Sequence, residues 1–214
     1  TSVTVCVECG DEQSYIDTTL AHTAYHDETN RERRRYEYDR AVHFNSKLAR
    51  LQGKEGVEVP RNVVDLVIAE LFKKGFRTSN IASISYTDIR AVLKQLNRSH
   101  PGAKKYYENT SQIRARITGI PCTQFPEHIE DRCREMFVLL QPVYEELRVT
   151  MMPGRKNFLN YSFTLYKILQ IIGVVTSREH HTLLKGEEKI KQQDLIFKAI
   201  CERLNWPWIP TPGL

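Results

Sequence analysis

The chain has 214 residues, 41% hydrophobic and 27% charged, with a net charge of +5 and a pI of about 8.9. That size suits one domain or two small ones, and the composition is that of an ordinary globular protein. It holds no apolar run of the ~20 residues that a bilayer span needs, no basic start with an apolar stretch like a signal peptide, and five cysteines, only Cys6 and Cys9 close together with Cys122, Cys133 and Cys201 scattered, that do not form a secreted disulfide framework. The charge excess permits an anionic partner without demanding one.

The chain opens on the β-branched run Ser2-Val3-Thr4-Val5, then Cys6-Val7-Glu8-Cys9-Gly10, then Ser14-Tyr15-Ile16-Asp17-Thr18-Thr19. Two thiolates separated by two residues are half of a tetrahedral zinc site. Gly10 after the second suits a tight turn, because glycine accepts φ > 0 without strain. The pattern reads as strand, knuckle, strand, one half of a zinc ribbon. The first residue is Thr and a half-built site stands beside it, so we expect a fragment with sequence upstream. Two other readings stay open. His22 and His26 follow Cys6 and Cys9 at the spacing of a Cys2His2 finger, although Gln13 stands where that finger needs an aromatic and Leu20 is one place off. The thiols could also be free. If zinc binds, its role is structural, since four protein ligands leave no position for a substrate water.

From Thr29 the pattern becomes helical. Ala41, Phe44, Leu48 and Leu51 recur at helical spacing until Gly53 and Gly56. Pro60 suits a first turn, and Val63, Val64, Val67, Ile68, Leu71 and Phe72 make a broad apolar face closed by Gly75. Ser85 is a cap for a helix turning Ile89, Val92, Leu93 and Leu96 inward, broken at His100-Pro101-Gly102. Tyr106, Ile113 and Ile117 predict one more, ending at Gly119. Pro126 opens a helix carrying Ile129, Cys133, Met136, Phe137, Leu140, Tyr144 and Leu147, which Pro142 should kink or split. Met151-Met152-Pro153-Gly154 reads as a linker, and Phe158, Tyr161, Leu165, Ile168, Leu169 and Ile172 as a helix stopping at Gly173. The last helix is expected from about Glu187 to Leu204, with Trp206-Pro207-Trp208 docking the tail. The expected fold is all-α, with residues 1–28 as the ribbon half and linker and 29–214 as a helical domain divided near 120–125.

Arg33, Arg34 and Arg35, beside Arg31, form the densest run of charge. A solvated helix end explains it, with Glu32, Glu37 and Asp39 pairing across turns; arginine forks also suit phosphates. Lys104-Lys105, Arg114 with Arg116, and Arg155-Lys156 at a helix start are further candidates for a nucleic-acid backbone. Tyr161 and Tyr166 read as core-edge residues, not base-stacking platforms. His180-His181 beside Glu179 lie in a loop, where neighbours point apart, and no nucleophile elbow, phosphate loop or carboxylate pair appears. We expect no enzyme.

Four blocks then resemble a known family. They are His43-Phe44-Asn45-Ser46-Lys47-Leu48 with Gln52-Gly53-Lys54-Glu55 and Val59-Pro60; Leu93-Lys94-Gln95-Leu96-Asn97 with Lys105-Tyr106-Tyr107-Glu108-Asn109; Arg155-Lys156-Asn157-Phe158-Leu159-Asn160-Tyr161-Ser162-Phe163-Thr164-Leu165-Tyr166-Lys167; and Gln192-Gln193-Asp194-Leu195-Ile196-Phe197 with Leu204-Asn205-Trp206. In this order, over residues 30–210, they resemble the third viral late transcription factor family of poxviruses and other large DNA viruses. The resemblance implies an activator of late viral transcription, working with the viral RNA polymerase and other late factors at late-promoter DNA, in the host cytoplasm, the virion or the host nucleus. It implies a cysteine-rich zinc ribbon before the helical body, of which Cys6 and Cys9 would be the surviving end. A ribbon before helices, with Gly154-Arg155 leading into an apolar one, is also similar to the general initiation factor built of a zinc ribbon and cyclin-like domains. The alternative is a virion structural or assembly protein whose helices bind only other proteins.

Overall fold

The computed structural model of the chain describes residues 40–54, 56–155, 157–183 and 186–211, with the backbone of residues 2–5 and 12–15. Strands β1 (Ser2–Val5) and β2 (Glu12–Tyr15) pair antiparallel, Ser2 opposite Tyr15 and Val5 opposite Glu12. They belong to a first unit, residues 1–39, distinct from the helical unit that follows.

The helical unit holds α1 (Arg40–Leu51), α2 (Arg61–Lys73), α3 (Tyr86–Ser99), α4 (Thr110–Thr118), α5 (Glu127–Met151), α6 (Tyr161–Ile172) and α7 (Glu187–Leu204). Each begins or ends where local chemistry dictates. The Ser85 hydroxyl accepts the Asp88 N–H at 3.1 Å while the Asp88 carboxylate accepts the Ser85 N–H at 2.9 Å, a reciprocal cap that fixes the start of α3. Asn160 does the same work for α6, accepting from the Phe163 N–H at 3.0 Å. The cap therefore starts α6 at Tyr161, and Phe158, expected inside the helix, lies before it, buried against Tyr144 with ring centroids 4.6 Å apart. After α1, Gly53 takes φ 68°, and a Cβ there would stand 2.7 Å from the Cys122 sulfur, so both conformation and space require glycine.

Pro142 does not split α5, which runs unbroken through it. Leu140 and Tyr144 are fully buried on either side of the proline. Burying two such side chains contributes roughly 3–6 kcal/mol, enough to offset the ~3 kcal/mol that an interior proline costs. The single helix expected through Tyr106, Ile113 and Ile117 is instead a 3-10 turn, Ala103–Tyr106, followed by α4. Gly102, at φ 106°, starts the turn. Two further 3-10 turns, Thr78–Ser83 and Arg178–His180, have no periodic signature in the sequence.

Two apolar cores result. One gathers Val67 and Leu71 of α2, Ile89, Val92 and Leu93 of α3 and Ile113 of α4. The other gathers Phe137, Leu140 and Tyr144 of α5, Phe163 and Ile168 of α6, and Phe197 and Ile200 of α7, together with Phe44 and Leu48 of α1. Phe44 and Phe137 stack at 4.1 Å. Thus α1 precedes α2 in the chain but packs with α5 and α6.

Between the cores lies His180. Its ring stacks on Tyr86 at 4.3 Å, meets the Ser111 hydroxyl at 3.2 Å and hydrogen-bonds the Leu51 backbone, while Arg90 donates to the Glu179 carbonyl at 2.7 Å and to its own at 3.2 Å. Neighbouring His181 meets the Thr176 hydroxyl at 2.9 Å and sets its ring edge-on to Tyr166. Burial pushes the pKa of His180 down to about 4 and that of His181 down to about 3, so both are neutral at pH 7.

Candidate nucleic-acid interface

Positive charge is concentrated in residues 57–119, which hold eleven Lys and Arg against five Asp and Glu. The apolar stripe of α3 (Ile89, Val92, Leu93, Leu96) faces the core, so Lys94 and Arg98, one turn apart on the opposite side, face solvent. The 3-10 turn docks beside them, its Lys104 N–H donating to the Asn97 side chain at 3.2 Å. Ala103 and Tyr106 anchor the turn in the core, which leaves Lys104 and Lys105 outside. The Lys105 ammonium stands 4.9 Å from the centroid of the Tyr106 ring, whose face steadies it. Lys94, Arg98, Lys104 and Lys105 form a ridge, and among the described residues none of the four makes an ion pair. Exposed cations that no salt bridge engages are available to a phosphate backbone.

Other cations named from the sequence are engaged within the fold. Arg114 donates through Nε to the Ile84 carbonyl at 2.9 Å and lies 5.1 Å over the Tyr86 ring. Arg116 binds the Val59 carbonyl and Glu58. Arg155 donates to the carbonyls of Asn157 and Phe158, both at 2.9 Å. These carbonyls lie outside the helices, where a guanidinium supplies a donor to each and the Tyr144 hydroxyl a second to Asn157 at 2.8 Å. In the sequence, Lys94 and Arg98 carry one signal, their i, i+4 spacing on the polar face of α3.

Cys6, Cys9, His22, His26, Arg33, Arg34, Arg35 and Lys156 lie outside the described residues.

Ser111 and His180 meet as a nucleophile and a base would. The inner cavity beside them measures about 30 Å³, room for a single water. Both side chains are buried and serve the packing between the cores.

Comparison with known proteins gives a consistent picture. The family model described as "Poxvirus Late Transcription Factor VLTF3 like" matches residues 31–208. A "Putative transcription factor" of Paramecium bursaria Chlorella virus 1 is 36% identical over 207 residues, 97% of this chain and 52% of that one. Another of that printed name, from Acanthamoeba polyphaga mimivirus, is 28% identical over 94% of this chain and 44% of its own length. A third, from Invertebrate iridescent virus 3, is 25% identical over 95% and 54%. The chain spans about half the length of the curated relatives it matches. No solved structure matches it significantly.

Proposed function

We infer the function from one premise: the chain belongs to the Poxvirus Late Transcription Factor VLTF3-like family. It acts as a non-enzymatic activator of late viral genes, joining the viral RNA polymerase and other viral late factors at late promoters. Its place of work is the viral factory of the host cytoplasm, with the virion and the host nucleus as further sites. No helix among the described residues is long and apolar enough to cross a membrane.

In this reading the helical unit touches promoter DNA through Lys94, Arg98, Lys104 and Lys105. The absence of acidic partners at all four, among the described residues, is the observation that carries it. A filter-binding titration against salt tests it. Four phosphate contacts give a log–log slope near −4. Reversing Lys94, Arg98, Lys104 and Lys105 to Glu should flatten the slope by about three to four units, as roughly one is lost per phosphate contact. An unchanged slope removes the ridge from the account. Run-off transcription from a late promoter, with and without the protein, then separates activation from the virion structural role. That second role draws support from exposed Val138, Leu139 and Val149 along α5, apolar positions that suit a protein partner.

Cys6 and Cys9 hold one structural zinc together with a second ligand pair. Elemental analysis of a chain extended upstream should give one zinc, and Cys6→Ser with Cys9→Ser should abolish it. Zinc bound by residues 1–214 alone and lost on His22→Ala with His26→Ala would instead identify those histidines as the second pair.

A further inference from the structure

A second basic feature lies at the seam between the two cores and takes no part in the ridge. Lys47 and Arg50, one turn apart on α1, both bind the Glu108 carboxylate, which sits in the connection between the 3-10 turn and α4. Arg90 of α3 lines the same cleft. Its two terminal nitrogens hold the Glu179 and His180 carbonyls, while its Nε is buried without a hydrogen-bond partner. Lys47 and Arg50 thus share one carboxylate, while Arg90, the third cation lining the cleft, has Glu179 as its nearby acidic charge; both histidines beside them are neutral.

We propose that this cleft binds a phosphate group, as inorganic phosphate or a nucleoside monophosphate, seated on Lys47, Arg50 and Arg90 in place of Glu108. The carboxylate already shows that an anion is accepted here. Burial would raise its pKa, yet hydrogen bonds from Lys47 and the charges of Lys47 and Arg50 win and hold it below the usual range. A phosphate dianion offers these cations twice the charge and more oxygens than a carboxylate, and guanidinium forks match its geometry. The Arg90 Nε proton, which costs free energy while buried and unpaired, would gain an acceptor. Ser162 adds a hydroxyl from the first turn of α6. The space beyond the inner cavity is open to solvent, where Lys47, Arg50 and Glu108 remain partly exposed. Glu108 belongs to no helix, so moving its side chain aside unwinds nothing.

The test is a titration of the full chain with inorganic phosphate and with adenosine monophosphate, read by NMR chemical shifts and thermal melting against sodium chloride at matched ionic strength. Phosphate should raise the melting temperature in a saturable way, as any ligand of the folded state does. Glu108→Gln removes the competing anion and should tighten phosphate binding about tenfold, the effect of relieving one like charge nearby. Lys47→Met with Arg50→Met should abolish it. Lys94→Glu with Arg98→Glu, on the ridge, should leave it unchanged. An affinity that Glu108→Gln leaves unaltered or weakens, with circular dichroism showing the variant folded, overturns the proposal. So does a phosphate response no larger than that of chloride, or one lost with the ridge instead of the cleft. Response to the monophosphate but not to free phosphate would assign the site to the nucleotide.

Discussion

Asp194→Ala should destabilise the protein by about 3–5 kcal/mol, the usual cost of breaking a buried ion pair from one side. For a chain of this length that lowers the melting temperature by roughly 6–20 °C. Lys167 is among the most deeply buried side chains and carries an ammonium on α6. Asp194 of α7 meets it at 2.9 Å. The Ile209 carbonyl accepts from the same ammonium, and the Thr211 hydroxyl donates to Asp194 at 2.7 Å. The rings of Phe197 and Trp208 close around it at 5.7 and 6.0 Å from their centroids. Removing the carboxylate strands a cation where water cannot reach it and frees the segment after α7. An apolar replacement of both partners avoids that penalty, so Lys167→Met with Asp194→Leu should recover most of the loss in a urea melt. If Asp194→Ala alone costs less than 1 kcal/mol, the pair is not what docks the tail.

That pair also marks where the sequence stops being informative. The bounds of α7 are legible because Ile190, Phe197, Ile200 and Leu204 repeat at helical spacing and Asn205 tolerates the left-handed φ of 54° that ends the helix. The Ser85 cap and the Pro126 start are legible for the same local reasons. Nothing local says that Lys167, within an apolar run, finds an acid 27 residues away. Nor does the pattern say that α1 packs with α5 and α6 rather than with its neighbour α2; both faces are simply apolar. The cations are the sharpest case. Arg114 and Arg116 stand in the sequence as a basic pair fit for phosphates, yet the fold spends them on carbonyls 30 and 57 residues away. Lys94 and Arg98, unremarkable in the sequence, are left on the surface. Which charges are free is decided by which carbonyls lack donors, and that is a property of the assembled fold. The family blocks, by contrast, need no assembly: four short segments over residues 30–210 anticipate a family match over 31–208.

Acid should destabilise the protein steeply before its carboxylates begin to be protonated. In the folded chain His180 and His181 titrate near 4 and 3, pushed down by burial, with the charge of His180 and then that of Arg90 lowering His181 further and Arg90 lowering His180, while unfolded histidine titrates at about 6.5. Above pH 6.5 both states are neutral and the stabilisation is complete. As pH falls below 6.5 the unfolded chain takes up two protons that the folded chain refuses, so stability drops by up to about 3 kcal/mol per pH unit until the folded values are reached. Carried down to pH 4 the loss is roughly 5–7 kcal/mol, comparable to the whole stability of an ordinary domain. Glu108, Glu130 and Glu145 are held below the usual carboxylate range, so their contribution is lost only as pH falls through and below about 4.5. The window between pH 5 and 6.5 therefore isolates the histidines. Urea melts across it should show the steep decline in the parent chain and about half the slope in His181→Asn, with His180→Asn with His181→Asn nearly flat though weaker at pH 7. The double variant loses the bonds to Ser111 and Thr176 and the stack on Tyr86, so its cost at neutral pH and its indifference to acid come from the same two rings. A parent chain equally stable at pH 5 and 7 would mean that the seam between the cores opens to water and leaves the imidazoles free to charge.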